Sequence, residues 1–169
     1  MIQYRSFLPD DLFEKCVEYI VQEGHWQHKQ TSNMILSTSN QIRFWFMDLQ
    51  KESIFHKDVF ELIIKITSKH FELLRVYANG QTFGQDGDFH TDCSCTNNDV
   101  CNHWTFLIYT SSITGNTEFK IGTEGSERMS IIPSKNNAVI FKSNILHRGL
   151  APFDKSVLRV TIAFKLRQI

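Results

Sequence analysis

The chain has no apolar run that approaches the roughly 20 residues needed to span a membrane, and its first ten residues contain no apolar signal segment. Neither sign of charge dominates, because 18 Lys and Arg residues stand against 18 Asp and Glu residues in a chain of 169. A general basic field for nucleic acid and an acidic tail are both excluded. We therefore expect an unprocessed, soluble protein whose recognition of other molecules is local.

Cysteine is also scarce, and it is unevenly placed. Of the four cysteines, Cys93, Cys95 and Cys101 lie within nine residues, whereas Cys16 stands far from them. This spacing is not typical of the disulfide frameworks that stabilise small secreted domains. We therefore expect a reducing, cytoplasmic location.

The hydrophobic content, 41% with 14 Phe residues, suffices for one core in a single domain that covers residues 1–169. Residues 9–24 predict an amphipathic helix that ends at Gly24, because apolar residues recur on one helical face from Leu12 onward. Helical spacing recurs at residues 42–49 and 59–66. Residues 25–40, with the apolar run 34–36, predict a strand or hairpin.

From Phe71 onward the chain consists of short runs rich in β-branched and aromatic residues, separated by Gly, Asn, Ser and Pro. The predicted strands cover residues 73–78, 89–92, 104–110, 117–121, 129–132, 138–141 and 158–166. Helices followed by about seven strands predict an α+β fold, with residues 1–72 as mainly helical support and residues 73–166 as a jelly-roll core.

His90 and Asp92 form the first candidate site. In an extended strand, side chains two positions apart point to the same face, so this imidazole and this carboxylate can reach one metal ion. A single His-x-Asp pair is common by chance and needs partners elsewhere in the chain.

His147 supplies a third ligand, because it follows the predicted strand 138–141 at a point where a loop meets the mouth of the barrel. Two histidines and one carboxylate on one face of a metal are typical of non-haem Fe(II) oxygenases. Residues 159–166 alternate strictly, and their Arg159 face lies opposite the apolar face that packs under the helices. An arginine on this strand fits a cosubstrate with a distal carboxylate, because its guanidinium can bind the carboxylate bidentately.

The ordered combination of His90-x-Asp92, His147 and Arg159, the last opening a terminal Arg-Val-Thr-Ile-Ala-Phe strand, resembles the Fe(II)/2-oxoglutarate-dependent dioxygenases. The resemblance is to the prolyl-4-hydroxylase-like group and its small bacterial and phage-type members, and it covers residues 73–166. It implies a double-stranded β-helix, a cupin-like jelly-roll with N-terminal supporting helices.

The resemblance also implies roles for individual residues. His90, Asp92 and His147 would bind Fe(II), and Arg159 would bind the 5-carboxylate of 2-oxoglutarate. Tyr109, in a segment similar to the corresponding strand of the family, would donate a hydrogen bond to the same carboxylate.

Tyr77 would lie near the metal end of the cosubstrate. O2 is the implied oxidant, and ascorbate is an allowed reductant. The implied reaction hydroxylates a C–H bond of proline in a peptide or protein, with succinate and CO2 as coproducts.

Three alternatives stay open. The same chemistry can act on a free amino acid or on nucleic acid, although no basic, aromatic-lined groove is evident for the latter. The third alternative is a sensor or interaction module, a barrel that binds metal and 2-oxoglutarate without turnover.

We interpret the cysteine-rich segment 93–103 as a polar loop at the barrel mouth, with a structural zinc site formed by its three thiols and His103 as the alternative.

Overall fold

The computed structural model describes residues 1–31, 42–95, 101–122 and 125–169. Two helical segments precede most of the strands. The first is α1 (Asp10–Glu18) with a π-helical continuation (Tyr19–Glu23), and the second is a π-helical segment (Ile54–Val59) that leads into α2 (Phe60–Thr67). The strands are β1 (Ile2–Tyr4), β2 (Gln27–Gln30), β3 (Phe44–Asp48), β4 (Phe71–Gln81), β5 (His103–Tyr109), β6 (Thr117–Ile121), β7 (Glu127–Ile131), β8 (Ala138–Lys142), β9 (His147–Gly149) and β10 (Arg159–Gln168).

The strands form two antiparallel sheets. Within the described ranges, the major sheet has seven strands in the order β1-β8-β5-β10-β4-β3-β2, and the minor sheet has three in the order β7-β6-β9. Long-range pairing dominates, since β10 lies between β4 and β5 and pairs with both along most of its length. This arrangement agrees with the predicted jelly-roll.

Two apolar clusters lie on opposite faces of the major sheet. One packs the helices against it and includes Phe13, Ile63 and Phe164, while the other fills the space between the two sheets and includes Phe119 and Phe141. The apolar face and the Arg159 face of β10 therefore lie on the predicted sides of the sheet. Ile162, Phe164 and Leu166 pack under the helices, which leaves the Arg159 face directed between the sheets.

The predicted helices at residues 9–24 and 59–66 are confirmed, and the predicted strands are confirmed with small shifts of their ends in all cases but one. The exception is residues 89–92, which form a single bridge from His90 to His147 rather than a strand. Strand β2 confirms part of the prediction for residues 25–40, whereas the run 34–36 lies outside the described residues.

The prediction of helical spacing at residues 42–49 is wrong, because this segment forms β3 between β2 and β4. Short apolar runs satisfy helical and strand periods equally well, and the aromatic residues Phe44, Trp45 and Phe46 favour the strand. The described part of residues 1–72 thus contributes β1, β2, β3 and the first two residues of β4 to the major sheet, as well as the helices. Within the described residues, no helix has the length and apolarity required to cross a membrane.

Candidate active site

His90, Asp92 and His147 meet at one end of the space between the sheets. Their ligand atoms all lie within 4.8 Å of one another. The Nε2 atom of His90 lies 3.6 Å from Oδ1 of Asp92, and the Nε2 atom of His147 lies 3.2 Å from Oδ2. The chain therefore brings together the three residues that the sequence singled out as metal ligands.

Backbone hydrogen bonds hold these residues in place. The amides of His90 and His147 each donate to the carbonyl of the other at 3.0 Å, and the Asp92 amide donates to the Ser143 carbonyl at 2.7 Å. His147 opens β9, whose partner β6 fixes it in the minor sheet through the pair Phe119–His147. The loop that carries His90 and Asp92 is thus tied to both the end of β8 and the start of β9.

Each imidazole is oriented by a carbonyl oxygen behind it. The Nδ1 atom of His90 lies 2.9 Å from the Asp88 carbonyl, and the Nδ1 atom of His147 lies 2.9 Å from the Ile145 carbonyl. A carbonyl can only accept, so both Nδ1 atoms donate, and the Nε2 atoms that face Asp92 are the ring nitrogens left for a metal ion. This is the orientation in which histidines bind a metal ion.

Asp92 has two polar partners in addition to the histidines. The Thr105 hydroxyl donates to Oδ2 at 2.6 Å, and the Lys165 ammonium contacts the same oxygen. Burial by itself raises the pKa of Asp92, but the positive charge of Lys165 and the interactions with His147 and His90 together outweigh it and hold this pKa well below its usual value. Burial lowers the pKa of His147, which favours the neutral imidazole that a metal requires.

Arg159 lies at the other end of the cavity and is almost fully buried, with 3% of its surface exposed. Its Nε donates to the Gly115 carbonyl, its Nη1 to Oε1 of Gln81 at 2.9 Å, and its Nη2 to the Thr117 hydroxyl at 2.8 Å. All three acceptors are neutral, and no carboxylate in the described part of the chain forms an ion pair with Arg159. A buried cation without a counter-charge is costly, so this environment is suited to an anionic ligand.

The wall around Arg159 is itself constrained. Gly115 has a φ of +96°, and a Cβ there would come within 2.9 Å of Cδ of Arg159. The Gln81 amide donates to the carbonyls of Gln85 and Gly149, which aims its oxygen at the guanidinium. Arg159 therefore has one defined orientation before any ligand binds.

The two predicted tyrosines occupy different positions. Tyr109 is buried, its hydroxyl donates to Thr117 at 2.9 Å, and it reaches the cavity through that residue. Tyr77 lies in the cavity wall next to the metal-ligand candidates, and its ring centre is 5.7 Å from the Lys165 nitrogen. Burial raises the pKa of both phenols, so both remain protonated hydrogen-bond donors.

A cavity of about 680 Å³ connects these groups. His90, Asp92, His147 and Lys165 line one part of it, and Arg159 lines another. The other arginines near the predicted position are engaged elsewhere, since Arg148 pairs with Glu118 and Arg167 pairs with Glu72 at the exposed end of β10. Among the described residues, two arginines line the cavity: Arg75, whose guanidinium lies over the rings of Phe46 and Tyr77, and Arg159, the first residue of β10.

Gln81, Thr105, Thr117 and Lys165 are site residues to which the sequence analysis assigned no role. The signal for Lys165 was present, because the period of two in β10 places it on the same face as Arg159. The signal for Thr105 was also present, since it shares a face with Tyr109. Gln81 lies beyond the predicted end of its strand, and Thr117 contacts Arg159 only because the two sheets pack together.

No family model matches this chain, and no curated protein matches it. Many solved structures match its fold. A prolyl hydroxylase from Trichoplax adhaerens, in complex with a peptide fragment of hypoxia-inducible factor, matches with a TM-score of 0.72 and 12% identity over 98% of this chain and 82% of its own. A prolyl-4-hydroxylase from Pseudomonas putida matches with a TM-score of 0.63 and 15% identity over 99% of this chain and 92% of its own.

HygX from Streptomyces hygroscopicus, with nickel and 2-oxoglutarate bound, matches with a TM-score of 0.70 and 10% identity over 98% of this chain and 82% of its own. Other matched structures include an epimerase and a carbocyclase that depend on α-ketoglutarate. Identities this low establish the fold but not a shared reaction. The chain has the double-stranded β-helix fold of the 2-oxoglutarate/Fe(II) oxygenases.

Proposed function

We propose that this protein is an Fe(II)- and 2-oxoglutarate-dependent dioxygenase that hydroxylates a C–H bond, and that its substrate is proline in a peptide or protein. One observation carries the proposal: a two-histidine, one-carboxylate group and a buried arginine without a counter-charge line the same cavity. Either feature alone also occurs in proteins without this chemistry. Together they match the needs of a metal and of a dicarboxylate cosubstrate.

The donor set fits Fe(II). His90 and His147 present Nε2 lone pairs, and Asp92 presents Oδ1 on the side away from Lys165 and Thr105. When bound, iron with 2-oxoglutarate and O2 supplies oxidative decarboxylation to succinate and CO2, coupled to hydroxylation of a substrate C–H bond. The protein's contribution is to fix the three ligands on one face, so that the opposite coordination positions stay open.

The surroundings of Arg159 fit the distal carboxylate of 2-oxoglutarate. Three of its five N–H groups are used by Gly115, Gln81 and Thr117, so each terminal nitrogen retains one N–H for a bidentate pair. The Thr117 oxygen accepts from both Arg159 and Tyr109, which leaves its own proton to donate to a ligand. Tyr109 therefore supports the cosubstrate through Thr117, and Tyr77 lies near the metal end.

The proline assignment rests on the two prolyl hydroxylases among the matched structures, one of which is described with a peptide bound. The cavity also agrees with a substrate that enters from outside, since Phe89, Thr91 and Ser94 line it beside the metal-ligand candidates. A free amino acid or a nucleic acid would use the same chemistry, and these substrates are the alternatives that the experiment distinguishes.

The test begins without oxygen. Fe(II) and 2-oxoglutarate are added anaerobically, and we expect a metal-to-ligand charge-transfer band that requires both. Failure to form this band would contradict the cosubstrate assignment.

Oxygen is then admitted with a panel of substrates: proline-containing peptides, matched peptides with alanine in place of proline, free proline, and single-stranded oligonucleotides. We expect succinate production to rise only with the proline peptides. A band without peptide-stimulated succinate would retain the dioxygenase proposal and reject the peptidyl-proline substrate.

A further inference from the structure

Three thiols and one imidazole gather beside the candidate iron site, in the segment that follows Asp92. The sulfur atoms of Cys93, Cys95 and Cys101 all lie within 4.8 Å of one another, and those of Cys93 and Cys101 are 3.5 Å apart. The Nδ1 atom of His103 lies 3.5 Å from the Cys95 sulfur. Cys93 and Cys95 follow Asp92 closely, Cys101 lies two residues before β5, and His103 is the first residue of β5.

These separations agree with a tetrahedral zinc site. Zinc–sulfur bonds of about 2.3 Å and zinc–nitrogen bonds of about 2.0 Å at tetrahedral angles place two sulfurs roughly 3.8 Å apart, and a sulfur and a nitrogen roughly 3.5 Å apart. A Cys–Cys disulfide would instead bring two sulfurs to about 2.05 Å and leave the third thiol unpartnered. The 3.5 Å between the Cys93 and Cys101 sulfurs is close to the first value, and the 3.5 Å between the Cys95 sulfur and Nδ1 of His103 equals the second.

The surroundings are also suited to a metal with thiolate ligands. Zinc with three thiolates and a neutral imidazole carries a net negative charge, and the Lys142 ammonium lies 2.6 Å from the Cys101 carbonyl. Cys101 is buried, while Cys93, Cys95 and His103 are half-buried. His103 lies on the Cys95 side of the cluster, so coordination requires its ring to turn toward the other two sulfurs.

We propose that Cys93, Cys95, Cys101 and His103 form a structural Zn(II) site, distinct from the site formed by His90, Asp92 and His147. Binding displaces one proton from each of the three thiols, with no change in oxidation state. A closed set of four protein ligands leaves no position for a substrate, which indicates a structural rather than a catalytic role.

The position of this zinc site gives it a specific consequence. Cys93 follows Asp92 directly and lines the cavity, whereas His103 is the first residue of β5, which also carries Thr105. Zinc would therefore fasten the loop after Asp92 to the strand whose Thr105 hydroxyl holds the Asp92 carboxylate. This inference does not depend on the proposed hydroxylase activity.

The test uses the full chain, reduced and stripped of metal under anaerobic conditions, with Co(II) alone as the probe. A thiolate site gives a sulfur-to-cobalt charge-transfer band in the near ultraviolet, which a histidine–carboxylate site cannot produce. We expect this band in the wild-type protein and in the His147→Ala variant, whose iron site is disabled. Zinc added in one equivalent should abolish the band by replacing cobalt.

Variants locate the ligands. Cys93→Ser and Cys101→Ser should each lose at least a third of the band intensity, and His103→Ala should weaken zinc retention by at least tenfold. Cys16→Ala, which removes a thiol from the core, should keep the band and serves as the matched control. X-ray absorption at the zinc edge of the wild-type protein should give three sulfur neighbours and one nitrogen neighbour.

The proposal is overturned if reduced wild-type protein shows no charge-transfer band, or if the band keeps its full intensity in Cys101→Ser. It is also overturned if thiol titration of metal-free protein, prepared without oxidant, gives two free thiols instead of four. The wild-type spectrum answers the question even where a variant fails to fold.

Discussion

Lys165 and Asp92 form an ion pair inside the cavity, although Asp92 is the carboxylate that lies between His90 and His147. Lysine and threonine occupy Oδ2, which leaves Oδ1 as the oxygen open to a metal. The protein thus carries a counter-charge for Asp92 that does not depend on a bound ion.

Replacing Lys165 should separate the role of Asp92 as the partner of this lysine from its role as a metal ligand. In the Lys165→Met variant the buried carboxylate loses its partner, and we expect the free energy of unfolding of the metal-free protein to fall by about 3–5 kcal/mol. Mn(II), a redox-stable substitute for iron, should then raise the unfolding temperature by more in the variant than in wild type. Denaturant titration and thermal unfolding with and without Mn(II) measure both effects.

Lys155→Met is the matched control, because Lys155 is exposed and lies over Phe83 far from Asp92 in the chain. It should change the unfolding free energy by less than about 0.5 kcal/mol. Equal stability of Lys165→Met and wild type would mean that the ion pair has no energetic role.

Arg159 should be required for 2-oxoglutarate but not for the metal. Arg159→Met removes the buried cation, and the loss of a buried charge-assisted pair, worth about 2 kcal/mol or more, should raise the dissociation constant of 2-oxoglutarate at least about 30-fold. Isothermal titration of Mn(II)-loaded protein measures this constant. Arg167→Met, on the exposed end of the same strand, should leave it unchanged, and a similar loss in both variants would refute the assignment.

His147→Ala should abolish binding of Mn(II) without unfolding the barrel, since the backbone bridge between residues 90 and 147 does not involve the imidazole. Equilibrium dialysis measures the metal, and far-ultraviolet circular dichroism measures the fold. His56→Ala, on an exposed helical position, is the control. Unaltered Mn(II) binding in His147→Ala would show that His147 is not a metal ligand.

Cys16 should be chemically inert in the folded protein. It has no exposed surface, and burial, with a smaller contribution from Asp58, raises its pKa to about 12. At pH 8 only about one thiol in ten thousand would be ionised, and the thiolate is the reactive form. Iodoacetamide should therefore modify Cys16 only after denaturant unfolds the chain, as mass spectrometry of peptides would show.

Rapid labelling of Cys16 in native protein at pH 8 would contradict its position in the core. The same reaction in urea is the control, because unfolding restores an ordinary thiol pKa.

The features that were predicted correctly from the sequence are those that a local pattern of residues determines. The strict alternation of residues 159–166 fixed which face of β10 is apolar, because strand period is a property of the backbone and needs no partner. The same kind of signal failed at Phe44–Asp48, where five residues are too few to distinguish a strand from a helix.

The site itself depends on contacts that no local pattern encodes. The approach of His147 to His90 requires the pairing of β6 with β9, and the hydrogen bonds from Arg159 to Gln81 and Thr117 join three strands from both sheets. Resemblance to a family could suggest His147 and Arg159. It could not reveal that Lys165 would pair with Asp92.

The reciprocal backbone bridge between His90 and His147 has a consequence for how the site responds to its metal. Because both ligand-bearing segments are ordered by main-chain hydrogen bonds, the entropy of bringing the two imidazoles together is lost when the chain folds and not when the ion arrives. The amides of both histidines should accordingly exchange slowly with solvent deuterium even in metal-free protein. The protein would then present a preorganised site in which exchange of one metal ion for another leaves the backbone unchanged.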